Sequence, residues 1–110
     1  MLRLNLGCGN YKKEGYINID KIKTPATDRI IDLDTLTWYK QDFFNNVDEI
    51  WAHHIIEHLK NLIDFFNTLY LICEPNAKIH LFFPKAGTDE DFADPTHKQH
   101  ICLKTIQNFC

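Results

Sequence analysis

Two glycines one residue apart, Gly7 and Gly9, follow a short run in which leucines alternate with polar residues. The run covers Leu2–Leu6 and reads Leu-Arg-Leu-Asn-Leu, a period of two that is typical of a β-strand. Because glycine has no β-carbon, a ligand can approach the backbone closely where the strand ends. The pattern therefore predicts a strand that leads into a ligand-binding loop.

A carboxylate, Asp20, closes a second alternating segment at residues 15–20. The link at residues 10–15 has room for at most one helical turn, and a parallel crossover usually takes a dozen residues or more. A dinucleotide site would need a third glycine where the chain has Lys12, and a helix N-terminus for the pyrophosphate. One carboxylate can instead accept hydrogen bonds from both hydroxyls of a ribose. We therefore expect a nucleoside ligand without a pyrophosphate.

Together, residues 4–10 and 15–20 resemble the opening of the class I S-adenosylmethionine-dependent methyltransferases. The resemblance implies S-adenosylmethionine as the cofactor, with Asp20 at its ribose. It implies that the glycine loop surrounds the methionine part of the cofactor. The loop positions expected at the cofactor are Asn5, Gly7, Cys8 and Gly9. This family often has an acid where the chain has Asn5, so the sequence departs from the family at that position.

Composition sets the limits for every other interpretation. The 110 residues have room for one domain, and 45% hydrophobic with 25% charged residues is ordinary for a soluble globular chain. A net charge of -3 gives no general attraction to nucleic acid or to an anionic membrane. No segment reads as a signal peptide or a transmembrane helix, and the four cysteines form no C-x-x-C pair. We expect a cytoplasmic protein with reduced thiols.

Three more strands are predicted, at residues 28–33, 47–52 and 78–83. The resemblance implies an α/β fold with a mostly parallel, Rossmann-like sheet in the order 3-2-1-4-5. It also implies that Asp32 lies near the adenine amino group, with Asp34 as the next choice, and that His53 lies beside the donor at the tip of strand four.

Residues 55–73 carry apolar side chains at steps of four and three, which predicts one helix. Asn61 followed by Asp64 could restart that helix. Pro75 should end the helical segment, and Asn76 can adopt the left-handed backbone of a tight turn.

The segment His54, Glu57 and His58 spells the inverted zinc-protease pattern H-x-x-E-H. A zinc-dependent hydrolase is thus an alternative function, although such a site needs a third ligand and a supporting helix. The same segment, through Leu59, resembles the turn after strand four of the methyltransferases, so we expect no metal. A catalytically silent nucleoside-binding domain is the remaining alternative.

Methyl transfer asks chiefly for in-line positioning, and a general base is needed only for a hydroxyl or similar acceptor. His54 and His97 are the candidate bases. The polar segment 84–100 follows strand five and is a candidate acceptor loop. We expect a small-molecule or glycan-like acceptor, and neither nucleic acid nor membrane as a partner.

The resembling fold normally continues through a helix, here begun at residues 103–109, into a closing antiparallel pair of strands. Those strands have no counterpart in the sequence. We therefore expect residues 1–110 to form a single incomplete domain whose methyl transfer is weak or absent in isolation. The chain is then either a fragment of a longer protein or covers the exposed edge of strand 78–83 by self-association.

Overall fold

The computed structural model describes residues 2–35, 43, 45–53 and 55–83. Within these ranges the chain forms five strands and one α-helix, and we name the strands β1 Leu2–Leu6, β2 Ile17–Asp20, β3 Arg29–Ile30, β4 Val47–His53 and β5 Cys73–Phe82. A 3-10 turn at Ile56–His58 and helix α1 at Leu62–Ile72 lie between β4 and β5. All pairs are parallel, in the order β3-β2-β1-β4-β5. This confirms the predicted α/β class and strand order.

The central strand, β1, has neighbours on both sides, and Leu4, Asn5 and Leu6 are all buried. The two leucines belong to one continuous apolar core, to which β4 contributes Ile50 and α1 contributes Phe65. Strands of a parallel sheet are usually buried on both faces and hence apolar throughout. Asn5 is therefore the exception among the buried residues of β1, and its side chain needs polar partners inside the fold.

The opposite face of the sheet carries polar and aromatic side chains, and we call it the polar face. Register partners on parallel strands project to the same side, so this face comprises Arg3, Asn5, Asn18, Glu49, Trp51 and His80. No helix of the described residues lies between β1 and β2, as the short link predicted. The loop at residues 10–16 instead contacts the polar face, where the Tyr16 hydroxyl donates to Glu49 Oε2.

The single helix predicted at residues 55–73 is wrong. Leu59 has an extended backbone and ends the 3-10 turn, and α1 starts afresh after Asn61, whose Oδ1 accepts from the Asp64 N–H at 3.1 Å. The predicted restart at Asn61 is thereby confirmed. The apolar spacing runs through the break because Leu59 is buried in the core and Ile55 packs against it.

Two strand boundaries also differ from the prediction. β3 has two residues instead of six, because Ile31 and Leu33 leave the ladder and turn into the core. β5 begins at Cys73, which pairs with Val47, and the register then shifts before Glu49 pairs with Lys78. Asn76 lies in this irregular stretch with a φ of 70°, which confirms its predicted left-handed conformation.

The outer edge of β5 has no paired strand in the described part of the chain. Ile79 and Phe82 on this strand are 42% and 39% exposed. The helix predicted at 103–109 and the question of closing strands lie outside the described residues, so the incomplete domain and the self-association stay predictions. Among the described residues, no helix is long and apolar enough to cross a membrane.

Replacing Asn61 with alanine should lower the free energy of unfolding by about 1 kcal/mol, because the first turn of α1 would lose its N-cap acceptor. The matched control is Asn67→Ala, an exposed position inside α1, where alanine is the better helix former. Urea denaturation of both variants measures the difference. Equal losses in the two variants would contradict the capping role.

Candidate functional site

The loop after β1 is bonded directly to the end of β2. Gly7 and Gly9 have φ values of 68° and 54°, in the left-handed region that favours glycine. The Gly9 N–H donates to Asp20 Oδ2 at 2.8 Å, and the Cys8 N–H donates to the Ile19 carbonyl at 3.0 Å. The structure thus brings together the glycine loop and the carboxylate that the sequence singled out.

Two backbone hydrogen bonds orient the Asp20 carboxylate. Besides the bond from Gly9 to Oδ2, the Ile22 N–H donates to Oδ1 at 3.2 Å. A carboxylate has about four acceptor positions on its two oxygens. Each oxygen of Asp20 therefore keeps acceptor capacity for a ligand, and the carboxylate is already oriented before any ligand binds.

Two cavities meet at Gly7, at the carboxyl ends of the strands. We call the first, of about 290 Å³, the acidic cavity, because Asp20, Asp32 and Asp34 line it. The second, of about 780 Å³, is the open cleft. Its lining comprises Asn5, Gly7, Cys8, Gly9, Asn10, Tyr11, Lys12, Lys13, Trp51 and His53.

Every residue predicted at the cofactor lines one of these cavities, and Gly7 lines both. Their contacts with a ligand stay a prediction. The candidate bases His54 and His97 lie outside the described residues. A third cavity, of about 690 Å³, lies beside α1 and the start of β5 and contains none of the predicted site residues.

The acidic cavity is bounded by loops that are bonded to each other. Asp32 Oδ1 accepts from the Asp34 N–H at 2.9 Å, which shapes the turn after β3. Asp34 Oδ1 accepts from the Lys60 N–H at 2.8 Å, which ties this turn to the segment after β4. One oxygen of Asp34 is therefore engaged in a bond between loops, whereas Asp32 is exposed and bonds only within its own turn.

Asn5 lines the open cleft and hydrogen-bonds to β2 and to the loop after β1. Its Nδ2 donates to Asn18 Oδ1 at 2.8 Å and reaches the Tyr11 carbonyl at 3.4 Å. A carboxylate at this position could not donate, and it would face the acceptor oxygen of Asn18. The departure from the acid that is frequent in the resembling family thus has a physical reason in this chain.

The Cys8 side chain is buried, and its Sγ has contacts within the protein. Its Sγ lies 3.9 Å from Thr27 Oγ1 and 3.6 Å from the Gly9 carbonyl oxygen. Burial raises the pKa of the Cys8 thiol above its ordinary value, more than the bond to Thr27 lowers it. The thiol therefore stays protonated at neutral pH, where it is a poor nucleophile.

Sequence spacing gave no sign of Asn18 or Thr24. The Thr24 Oγ1 donates to the Gly9 carbonyl at 2.5 Å, so both peptide groups of Gly9 are fixed. Asn18 Oδ1 also accepts from the Lys13 N–H at 2.8 Å, which fixes the loop over the polar face. These partners come from a plain strand position and a proline-containing connection, neither of which carries a motif.

The zinc alternative gains no support. Glu57 and His58 lie on one 3-10 turn, not on the helix that the pattern requires. Glu57 is 1% exposed, whereas His58 lines the acidic cavity. No group of three His, Cys, Asp or Glu within the described ranges could hold a metal ion, and the third member of the motif, His54, is outside them.

A known structure shares this fold. The crystal structure of an S-adenosylmethionine-dependent methyltransferase from Archaeoglobus fulgidus superposes with a TM-score of 0.80 at 20% sequence identity, over 97% of this chain. The chain spans 57% of the length of that protein. No protein-family model matches the sequence, and no curated protein is detectably similar to it in sequence. The likeness establishes a methyltransferase fold.

Alanine at Gly7 should destabilise the fold more than alanine at Gly9. Both positions have positive φ, which costs an alanine about 1–2 kcal/mol. A Cβ at Gly7 would also meet the Ile55 side chain at 3.0 Å, whereas the space at Gly9 is open. Gly15→Ala is the matched control, with positive φ and open space. In thermal unfolding, Gly7→Ala should have a lower melting temperature than Gly9→Ala and Gly15→Ala. Equal losses in all three variants would show that the Ile55 side chain moves aside without a measurable loss of stability.

Asp28 should make the free energy of unfolding depend on pH in the acidic range. The Asn18 N–H and Nδ2 donate to Asp28 Oδ2 at 2.8 and 2.9 Å, and these bonds hold the pKa of the carboxyl below its ordinary value. The folded pKa is then lower than the unfolded value of about 3.9. The resulting stabilisation is present above that pH and is lost as the pH falls through the folded pKa.

Asp28→Asn should therefore flatten the fall of unfolding free energy below about pH 4. Urea denaturation at a series of pH values measures this slope. Glu14→Gln, at an exposed loop position, is the control and should leave it unchanged. A slope in Asp28→Asn as steep as that of the unaltered chain would contradict this assignment.

Proposed function

We propose that this protein transfers a methyl group from S-adenosylmethionine to a small-molecule acceptor. The observation that carries the proposal is the bond between the Gly9 N–H and Asp20 at the junction of two cavities. It sets a ribose-accepting carboxylate against a glycine loop, as the sequence resemblance implies. The likeness to a methyltransferase structure supports the same assignment at the level of the fold.

The donor set of the acidic cavity fits an adenosine. Asp20 can accept from the two ribose hydroxyls, and Asp32 can accept from an adenine amino group. Ile31, Leu33 and Leu59 supply apolar walls for a planar ring. The volume of about 290 Å³ lies near the small end of ligand sites. The cavity is therefore suited to a nucleoside, and no α-helix begins among the described residues that line it, where a pyrophosphate would need one.

The open space above Gly9 fits the methionine part. No atom lies within 4 Å of where a Cβ would stand at this residue, so the backbone is accessible from the cleft. At Gly7 the corresponding space is filled by Ile55. We infer that Gly9 gives the close approach, and that Gly7 allows the chain to turn between the two cavities.

When bound, S-adenosylmethionine supplies a methyl carbon that forms a bond to the acceptor atom as its bond to sulfur breaks, with the electron pair remaining on sulfur. The chain contributes orientation, since in-line geometry is the main requirement. His53 lies at the exposed end of β4 and lines the open cleft. It could take the proton of a hydroxyl acceptor. His54 and His97 remain candidates for the same role.

The function is tested by incubating the purified chain with S-adenosylmethionine and extracts of small metabolites. Formation of S-adenosylhomocysteine that depends on an added acceptor would establish methyl transfer. Binding of the donor without turnover of any acceptor would instead leave a silent nucleoside-binding domain. A cytoplasmic setting, where such metabolites are present, is part of the proposal.

Asp20→Asn should weaken S-adenosylhomocysteine binding by about 1.5–3 kcal/mol, the range for hydrogen bonds to charged groups. Asparagine keeps an acceptor oxygen for one backbone bond, so it perturbs the loop less than alanine would. Isothermal titration calorimetry measures the loss. Asp64→Asn in the first turn of α1 is the control. Wild-type affinity in Asp20→Asn would refute the ribose assignment.

A further inference from the structure

The two cavities differ in charge. Three aspartates and one lysine, Lys21, line the acidic cavity. The described residues that line the open cleft include Lys12 and Lys13 but neither aspartate nor glutamate. Because Lys12 also lies close enough to Asp28 to help lower the pKa of that carboxyl, Lys13 is the less compensated cation of the two.

Lys13 is held in place by its own backbone. Its N–H donates to Asn18 Oδ1 at 2.8 Å, and its carbonyl accepts from Asn18 Nδ2 at 3.3 Å. Its Nζ lies 4.1 Å from the centroid of the Trp51 ring and 5.0 Å from that of Tyr16. These are cation–π distances, and Lys13 has no ion pair within the described chain. The ammonium is thus positioned but not neutralised.

Trp51 is a fixed wall of the same cleft. It pairs in register with Asn5 on one side and His80 on the other. The rings of His80 and Phe82 lie 5.0 and 4.8 Å from it at tilted angles. The Trp51 side chain is half-buried, so little rotamer freedom remains to be lost when a ligand packs against it.

We propose that the acceptor is a planar, negatively charged small molecule that binds in the open cleft, beside Lys13 and Trp51. The inference rests on the proposed function and names its substrate class. A flat ring can pack along the indole, and an anionic group can pair with the uncompensated ammonium. A cationic acceptor would meet two lysines, and the positive sulfonium of the donor would add to the repulsion.

The test uses the full chain saturated with S-adenosylhomocysteine and four matched probes. 4-Hydroxybenzoate is planar and anionic, 4-hydroxybenzamide is planar and neutral, 4-hydroxybenzylamine is planar and cationic, and cyclohexanecarboxylate is anionic but not planar. Calorimetry should show 4-hydroxybenzoate binding about tenfold more tightly than the amide or the cyclohexane acid. The amine should show no measurable binding. Equal or tighter binding of the amide or amine, or no binding of any probe, would overturn the proposal.

Variants then assign the contacts. Lys13→Gln should bring the affinity for 4-hydroxybenzoate down to that for the amide and leave S-adenosylhomocysteine affinity unchanged. Trp51→Leu should remove the preference for the planar acid over cyclohexanecarboxylate. Lys78→Gln is the control, since Lys78 is exposed on β5 and does not line the cleft. If Lys13→Gln weakens the cofactor product as much as the probe, the lysine serves the cofactor and the proposal fails.

Failure of the two proposals can be told apart. If S-adenosylhomocysteine does not bind, the proposed function fails. The same four probes are then titrated into the unliganded chain, and the order of their affinities still shows whether the open cleft prefers a planar anion. If S-adenosylhomocysteine binds but the probes show no preference for a planar anion, only the acceptor assignment is lost.

Discussion

The hydrogen bond between Asn5 and Asn18 connects the core of the sheet to the ligand loop. It joins β1 to β2 on the polar face, where both side chains are buried. Asn18 then holds Lys13 through its Oδ1 and Asp28 through its Nδ2. Leaving a buried amide without a hydrogen bond is costly, so these bonds hold the loop at residues 10–16 in one conformation over the sheet. In a longer crossover a helix packed on the sheet would hold the connection in place, and here the polar network does so.

The candidate site consists of two cavities of different charge, which meet at the glycine loop. On one side of Gly7, aspartates and aliphatic side chains enclose a small cavity. On the other, lysines and Trp51 border a wider cleft. Opposite charges so close together favour a ligand that is itself unevenly charged, in line with the proposed function. Thr24 and Asp20 hold the two peptide groups of Gly9, so the boundary between these environments is fixed.

Local patterns in the sequence predicted β1, the glycine loop, Asp20 and the cap at Asn61, because each depends on neighbours along the chain. The order of the strands came from the family resemblance. The helix predicted at 55–73 was wrong because apolar spacing records burial, and Ile55 and Leu59 pack in the core outside any α-helix. Asn18, Thr24 and the contact of Lys13 with Trp51 were missed because they join positions that are distant in sequence.

The central position of β1 has a consequence for the order of folding. β1 and β2 are separated by a short link, so their pairing closes a small loop at little entropic expense. Pairing of β1 with β4 is far less local, and such contacts form slowly. We therefore expect the glycine loop and Asp20 to come together before β4 brings Ile55 and Leu59 to the acidic cavity. The glycine loop would then reach its final conformation before the acidic cavity beside it is enclosed.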